Sequence, residues 1–155
     1  MRRLFERGVA PLTQTLLFLA ARHQHVTERI RPWLRARRVV LCDRYTDATV
    51  AYQGYGGGLD PEFIRELNVR ATGGVLPDLT LLFDCDPAVG FRRRGGRRRD
   101  HFERQALAFH RKVRRGYREI QRAEPKRVRV VDAGRSPDAV AADVQAIVGE
   151  FLRGA

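Results

Sequence analysis

Three short apolar runs, each ending on an aspartate or followed directly by one, constrain the fold of this chain most strongly. They occupy residues 38–42, 79–84 and 128–132. Each run is short and rich in valine, leucine or both, which is typical of strands buried in a parallel sheet. Because helical stretches separate the runs, the sequence predicts an α/β protein with a parallel sheet.

The segments between these runs carry helix signals. Apolar residues at helical spacing predict a helix over 13–37, which Pro32 kinks or restarts. Further helices are expected over 61–71, from 87 to the Gly95-Gly96 break, over 102–123 and from 137 onward. No repeat or low-complexity linker interrupts the 155 residues, so we expect a single domain spanning residues 1–155.

The net charge of +12 has two interpretations. A basic protein can bind a phosphate-rich ligand, either a nucleotide or a nucleic acid. Alternatively, the charge reflects a GC-rich genome, because 28 of the 30 basic residues are arginine and they are spread over most of the chain.

Targeting and redox signals are weak. No run approaches the ~18 apolar residues of a membrane span, and the basic first residues lack the apolar stretch of a signal peptide. The cytoplasm is therefore the expected compartment. Cys42 and Cys85 are expected to be small core residues, and no Cys/His cluster has zinc spacing.

The three aspartates at the predicted strand ends are candidate ligands. In an open parallel sheet the binding crevice lies beyond the carboxyl ends of the strands. Asp43, Asp84 and Asp132 could each hold a hydrated Mg²⁺ or nucleotide hydroxyls there, or could simply cap the next turn. Asp43 is the strongest candidate, because Arg44 and a polar loop follow it.

Five ordered motifs resemble those of bacterial thymidylate kinases. The most specific is DRYTDATVAYQG at 43–54, which is similar to the family's D-R-[YH]-x-x-[SA]-[STN]-x-A-Y-Q-G signature. The others are LLFLAARHQH at 16–25, NVRATGGVLPDLT at 68–80, DHFE at 100–103 and VDA at 131–133. The likeness covers about 12–150 and implies the nucleoside-monophosphate-kinase fold, a parallel sheet with helices on both faces.

The resemblance also implies an activity. It is the transfer of a phosphoryl group from ATP to thymidine monophosphate (dTMP), giving dTDP for dTTP biosynthesis, with Mg²⁺ as cofactor. The family is generally dimeric, so a homodimer is an expected partner arrangement. Neither a membrane nor nucleic acid is an expected partner under this interpretation.

The resemblance assigns the nucleotide base and sugar to one group of residues. Phe18 offers a flat face on which a pyrimidine can stack, and a role as a core residue is the alternative. Thr49 and Gln53, four positions apart, could read the base edge, and Tyr52 could pack against the sugar and disfavour a 2′-hydroxyl.

The resemblance assigns the phosphate chemistry to three other residues. Arg22 lies one helical turn after Phe18, and its guanidinium could bind a monophosphate through two hydrogen bonds. Arg44 could reach the transferring phosphoryl group and balance its developing charge. Asp43 would orient Mg²⁺ or water near that group.

An arginine run over 92–99 lies where the family has its lid. Glycines allow such a loop to hinge, and arginines contact triphosphate oxygens when it closes. A solvated loop that binds polyanions loosely is the alternative. The candidates for contact with the ATP phosphates are Arg94, Arg97, Arg98 and Arg99.

The 155 residues contain no G-x-x-x-x-G-K-[ST] phosphate loop. In the family this loop joins a first strand to a helix, and a second strand follows. The expected fold is therefore N-terminally truncated, through a late gene start, a true truncation or a sheet that closes its gap otherwise. In a coupled ADP-release assay we expect turnover well below ordinary kinase rates of ~1–100 per second.

Two departures from the family's pattern also bear on nucleotide contacts. Gln14 stands where the family often has Glu, and Gly57 stands where Arg is common.

A hypothesis from another class is a non-catalytic basic protein that binds nucleic acid or an enzyme partner. Nucleic-acid binding should weaken steeply with salt and accept many sequences, whereas a nucleotide pocket should prefer the thymine base. Aromatic residues are not interleaved with the basic runs, which counts against a surface that stacks single-stranded bases.

Overall fold

The computed structural model describes residues 9–93 and 101–154, with the backbone alone for 101–105. Within this part the chain divides after Leu76 into two compact units, the first helical and the second containing a sheet. None of the described helices is both long enough and apolar enough to cross a bilayer.

The first unit is built from helices. Its elements are α1 (Pro11–His25), the π-helical turn Val26–Ile30, α2 (Arg31–Arg35), α3 (Thr46–Thr49), the π-helical segment Val50–Gly56 and α4 (Pro61–Thr72). Helix α1 packs against α4 and against the segment Val50–Gly56. The predicted helix over 13–37 is confirmed in outline: helical backbone runs without a break from Pro11 to Arg35, and Pro32 follows the π-helical turn Val26–Ile30.

The core of the first unit comes from every one of these helical elements except α2. Its members are buried aliphatic side chains, namely Leu19, Val26, Ile30, Ala48, Val50, Ala51 and Ile64. The residues after Tyr45, expected as a polar loop, are helical, and three of the seven core residues come from this stretch.

The predicted strand over 38–42 is wrong for the described part of the chain, where these residues form neither strand nor helix. Val39 and Leu41 are 78% and 95% exposed. A β-branched apolar run becomes a strand by pairing and by packing on a pleated surface. Among the described residues, this run has no strand pairing.

The ends of α4 follow the sequence signals. At its start Asp60 accepts a hydrogen bond from the Glu62 backbone N–H at 3.0 Å, and Pro61 opens the first turn. At its end Gly73 takes a left-handed conformation with φ of 58°. The Arg31 guanidinium donates to the carbonyl oxygens of Thr72 at 2.9 Å and Gly73 at 3.2 Å, so it satisfies two helix-end acceptors.

The variant Gly73→Ala is expected to destabilise the first unit by about 2 kcal/mol. Part of this cost is the left-handed backbone, and part is the displacement of Arg31, whose Nη2 lies 1.9 Å from where the new Cβ would be. Gly74→Ala is the matched control, because Gly74 also has a positive φ of 78° but nothing lies within 4 Å of its Cβ position. Urea denaturation followed by Trp33 fluorescence measures both, and equal losses would contradict the role of Arg31.

The second unit contains a parallel strand pair. Its elements are β1 (Thr80–Asp84), α5 (Pro87–Arg93), α6 (His101–Ala123), β2 (Val128–Asp132) and α7 (Pro137–Gly154). The register runs from Thr80 opposite Val128 to Asp84 opposite Asp132. Both strands, helices α6 and α7 and the start of α5 confirm the corresponding predictions, whereas the predicted break at Gly95-Gly96 lies outside the described residues. Helices α6 and α7 both pack on β2, and the core contains Leu82, Val113, Ile120, Val128 and Val131.

Candidate functional site

The Arg22 side chain is the centre of a polar cluster in the first unit. Its Nη1 donates to Asn68 Oδ1 at 2.6 Å and its Nη2 donates to the Tyr45 carbonyl oxygen at 3.0 Å. The guanidinium also lies 5.4 Å from the Tyr45 ring centroid. Burial lowers the pKa of Arg22, which means that its charge is partly shielded from water.

Asn68 holds this cluster together. Its side chain comes from α4 and is only 2% exposed. While Oδ1 accepts from Arg22, Nδ2 donates to the Thr46 carbonyl oxygen at 3.4 Å. The Asn68 amide therefore links α1 to the first turn of α3.

Tyr45 fixes the other side of Arg22. Its hydroxyl donates to the Val75 carbonyl oxygen at 3.1 Å, and burial raises its pKa. The half-buried ring, with its hydroxyl bonded to the backbone, forms a fixed wall beside Arg22. In the sequence, Asn68 and Tyr45 stand within the motifs at 68–80 and 43–54, and no local pattern there indicates a role for either residue.

Arg44 lies just before α3 in a conformation that few residues adopt. Its φ of 60° is in the left-handed region, which costs a non-glycine residue roughly 1–2 kcal/mol. Its guanidinium lies over the Tyr52 ring at 4.2 Å from the centroid. Asp43 and Arg44 are both exposed. Such an outlier next to exposed charges supports a functional role.

The remaining predicted residues lie on the same helices. Phe18 is half-buried on α1, one turn before Arg22, and Gln53 is half-buried in the segment Val50–Gly56. Thr49 is buried, at 2% exposure. Its hydroxyl therefore lies against protein, and contact with a base edge requires a small opening at that point.

Gly57, where the family often has Arg, is closely packed. A Cβ atom there would lie 2.7 Å from the Gln53 carbonyl oxygen. Glycine at this position therefore fits the end of the segment that carries Tyr52 and Gln53. The other departure, Gln14, donates through Nε2 to the Val9 carbonyl oxygen at 2.8 Å.

Asp84 in the second unit is committed to an ion-pair network. It is 8% exposed. Arg114 donates Nε to its Oδ1 at 2.7 Å and Nη2 to its Oδ2 at 2.9 Å, while Arg118 also donates to Oδ2. The hydrogen bonds from Arg114, joined by those from Arg118, lower the pKa of Asp84. Two arginines thus occupy the carboxylate that was a candidate metal ligand.

Asp132 has the capping role that was the alternative at the sequence level. Its Oδ1 accepts from the Gly134 backbone N–H at 2.8 Å, closing the turn after β2. The Arg93 guanidinium donates to the carbonyl oxygens of Ala133 and Gly134, both at 2.7 Å. Beside this turn lies a cavity of about 480 Å³, lined by Arg93, Ala133, Gly134, Arg135, Ser136, Pro137 and Val140.

Two further predictions concern the lid arginines and a metal site. The lid arginines Arg94, Arg97, Arg98 and Arg99 lie outside the described residues. Within the part that is described, no group of three or more His, Cys, Asp or Glu side chains could hold a metal ion.

The parallel strand pair is joined through helices α5 and α6, and the comparisons with known proteins assign this chain to the nucleoside-monophosphate kinase class. The family model of thymidylate kinase matches residues 1–144. A thymidylate kinase from Solidesulfovibrio magneticus is 50% identical, over 94% of this chain and 73% of the relative. One from Symbiobacterium thermophilum is 46% identical, over 94% and 68%.

A solved structure agrees with the sequence comparisons. The crystal structure of thymidylate kinase from Ehrlichia chaffeensis superposes with a TM-score of 0.72 at 29% identity, over 94% of this chain and 70% of that one. The chain belongs to the thymidylate kinase family.

Proposed function

We propose that the first unit binds dTMP as the phosphoryl acceptor in an ATP-dependent kinase reaction. The observation that carries this proposal is the contrast between two of its arginines, Arg22 and Arg44. Arg22 is shielded and fixed by Asn68 and Tyr45, while Arg44 is exposed on the Tyr52 ring. One arginine is thus suited to a neutral polar group and the other to a phosphate.

The nucleoside part of dTMP would lie along α1. Phe18 offers its ring to the pyrimidine, and Tyr52 offers its ring to the sugar. Both outer nitrogens of Arg22 already donate to protein acceptors. A further N–H of the same guanidinium can bind a base carbonyl, which needs only one donor. These bonds favour a base contact over the two-bonded phosphate contact expected from the sequence.

The phosphate of dTMP would lie near Arg44. An exposed guanidinium can turn toward an anion without losing a buried partner. Arg44 would hold the acceptor phosphate and balance the charge that develops on the transferring group. The strained backbone at Arg44 fixes the direction in which this side chain leaves the main chain.

The residues present fit a Mg²⁺ ion of the kind that kinases use. Such ions keep several waters and need only one or two carboxylates besides the substrate phosphates. Asp43 is exposed next to Arg44 and would supply this carboxylate or orient a Mg²⁺-bound water. When bound, the ion would neutralise charge on the phosphate oxygens.

ATP would supply the phosphoryl group. Support comes from the cavity beside Asp132, because nucleotides bind beyond the carboxyl ends of parallel strands and this cavity lies directly after β2. A homodimer and a cytoplasmic location stay predictions.

Isothermal titration of the chain with nucleotides tests the acceptor site. We expect saturable binding of dTMP at one site, with dCMP and UMP at least tenfold weaker, because the base edge and the 2′-hydroxyl are both discriminated. A moderate increase in salt concentration should change the preference for dTMP over dCMP and UMP little. The reason is that the nucleotide base, which is discriminated, carries no charge. Equal affinity for the three nucleotides would overturn the proposal.

A further inference from the structure

Helix α6 carries a surface that contains none of the residues placed in the proposed nucleotide sites. Its buried side carries Val113, Gly116 and Ile120. Arginines occupy the opposite side, and together they form the arginine face of α6: Arg111, Arg114, Arg115, Arg118 and Arg122. These five side chains line a concavity of about 260 Å³. Four of them follow one another at spacings of four, three and four residues, which places them in one row.

Part of the arginine face is held rigidly. Asp84 fixes Arg114 and Arg118 from beneath through three hydrogen bonds. Glu119 accepts a hydrogen bond from Arg122 at 2.7 Å. Arg111 and Arg115 are exposed. The face therefore combines fixed guanidinium groups with others that can reach outward, and positive charge exceeds negative charge along it.

The length of the row matches a repeating anion. Arg122 follows Arg111 by eleven positions, which is about 16 Å of helix axis. One strand of a nucleic-acid duplex carries a phosphate every ~3.4 Å of its axis, but because the strand winds around the duplex, a straight row of this length lies along only about two or three successive phosphates. None of the five lining residues is aromatic, which disfavours the stacking surface that single strands use.

We propose that the arginine face of α6 binds the sugar–phosphate backbone of duplex nucleic acid without reading its sequence. Arginine side chains form paired hydrogen bonds with phosphate oxygens. Backbone contacts of this kind position a protein on a duplex and carry no base information. In the sequence the arginines are spread over most of the chain and indicate no particular site. Helix α6 brings five of these arginines to one face.

Fluorescence anisotropy with a labelled 16-base-pair DNA duplex tests this surface. The test variant is Arg111→Gln with Arg115→Gln, and the matched control is Arg35→Gln with Arg38→Gln, two exposed arginines of the first unit. Both double variants lose the same net charge. We expect the test variant to bind the duplex roughly 50-fold more weakly at 0.1 M salt and to reduce the salt slope by about 2, because each lost phosphate contact removes ~0.9 from that slope.

The control variant and the competing nucleotides distinguish the proposal from its alternatives. The control variant should stay within about threefold of the original chain, and dTMP at saturation should not displace the duplex. Equal losses in both double variants would show that net charge alone binds the duplex and would overturn the proposal. Displacement by ATP beyond the effect of matched ionic strength would assign the face to free nucleotides and would overturn it as well.

Discussion

The variant Asp84→Asn is expected to lose about 2–3 kcal/mol of unfolding free energy at neutral pH. The carboxylate is almost fully buried and accepts three hydrogen bonds from Arg114 and Arg118. An amide of the same shape keeps one acceptor and turns two N–H donors toward the guanidinium groups. Removing one partner of a buried ion pair usually costs about 3–5 kcal/mol. The arginine side chains are 32% and 48% exposed, so water reduces that cost.

The effect should depend on pH in a defined direction. The pKa of Asp84 is lowered in the folded chain by its hydrogen bonds to Arg114 and Arg118, while the unfolded value is about 3.9. The folded state therefore binds a proton less readily than the unfolded state. The stabilisation is complete above the unfolded pKa and is lost as the pH falls through the folded pKa. The difference between the original chain and Asp84→Asn should thus be constant above about pH 5 and shrink below pH 4.

Asp86→Asn is the matched control for this experiment. Asp86 lies at the same end of β1 but is 52% exposed and contacts Arg114 only at 3.5 Å. It should change stability by less than about 0.5 kcal/mol. Urea denaturation by far-ultraviolet circular dichroism, with hydrogen exchange of the β1 and β2 amides, measures both variants. A loss at Asp84 no larger than at Asp86, or one that persists unchanged at pH 3, would contradict the prediction.

The second unit was predictable from sequence because its signals are local. The β1 run is rich in leucine and the β2 run in valine, and proline or aspartate marks the start of α5 and α7. Helix α4 was predicted for the same reason, between Asp60 and Gly73. In each case a capping side chain or a glycine satisfies the helix end within a few residues.

The run over 38–42 shows where local signals fail. Its composition is that of a strand, but a strand also requires a neighbouring strand to pair with. The composition of the run does not show whether such a neighbour is present. The prediction for the stretch after Arg44 was wrong in the opposite sense, because a loop was expected there and a helix is observed. Thr46, Thr49 and the glycines suggest a loop, yet Ala48, Val50 and Ala51 are buried and draw the segment into a helix.

In the candidate site, too, the features set by local spacing were predictable and those set by long-range contacts were not. The i and i+4 spacing places Phe18 and Arg22 near one another on α1, as expected. The role of Asn68 depends on a contact across 46 positions, and the role of Tyr45 depends on its hydroxyl reaching Val75. No periodicity reports contacts of that kind, so the partners that fix Arg22 emerge only from the folded chain.

A pair of variants separates the roles of the two arginines in the first unit. Arg22→Met is expected to weaken the binding of both dTMP and thymidine by about 10- to 100-fold, because a charge-assisted hydrogen bond to the base is worth ~1.5–3 kcal/mol. Arg44→Met is expected to weaken dTMP by a similar factor and to leave thymidine unchanged, because thymidine has no phosphate. Isothermal titration with the two ligands gives all four ratios.

The comparison of ligands protects the result against a folding defect. Asn68 is only 2% exposed, and Arg22→Met leaves its amide oxygen without the Arg22 donor, so circular dichroism and thermal unfolding should accompany the titrations. Arg22→Lys keeps the charge and a donor, and should recover part of the thymidine affinity. If Arg22→Met weakened dTMP but left thymidine binding unchanged, Arg22 would contact the phosphate after all. The division between a shielded arginine for the base and an exposed one for the phosphate would then be wrong.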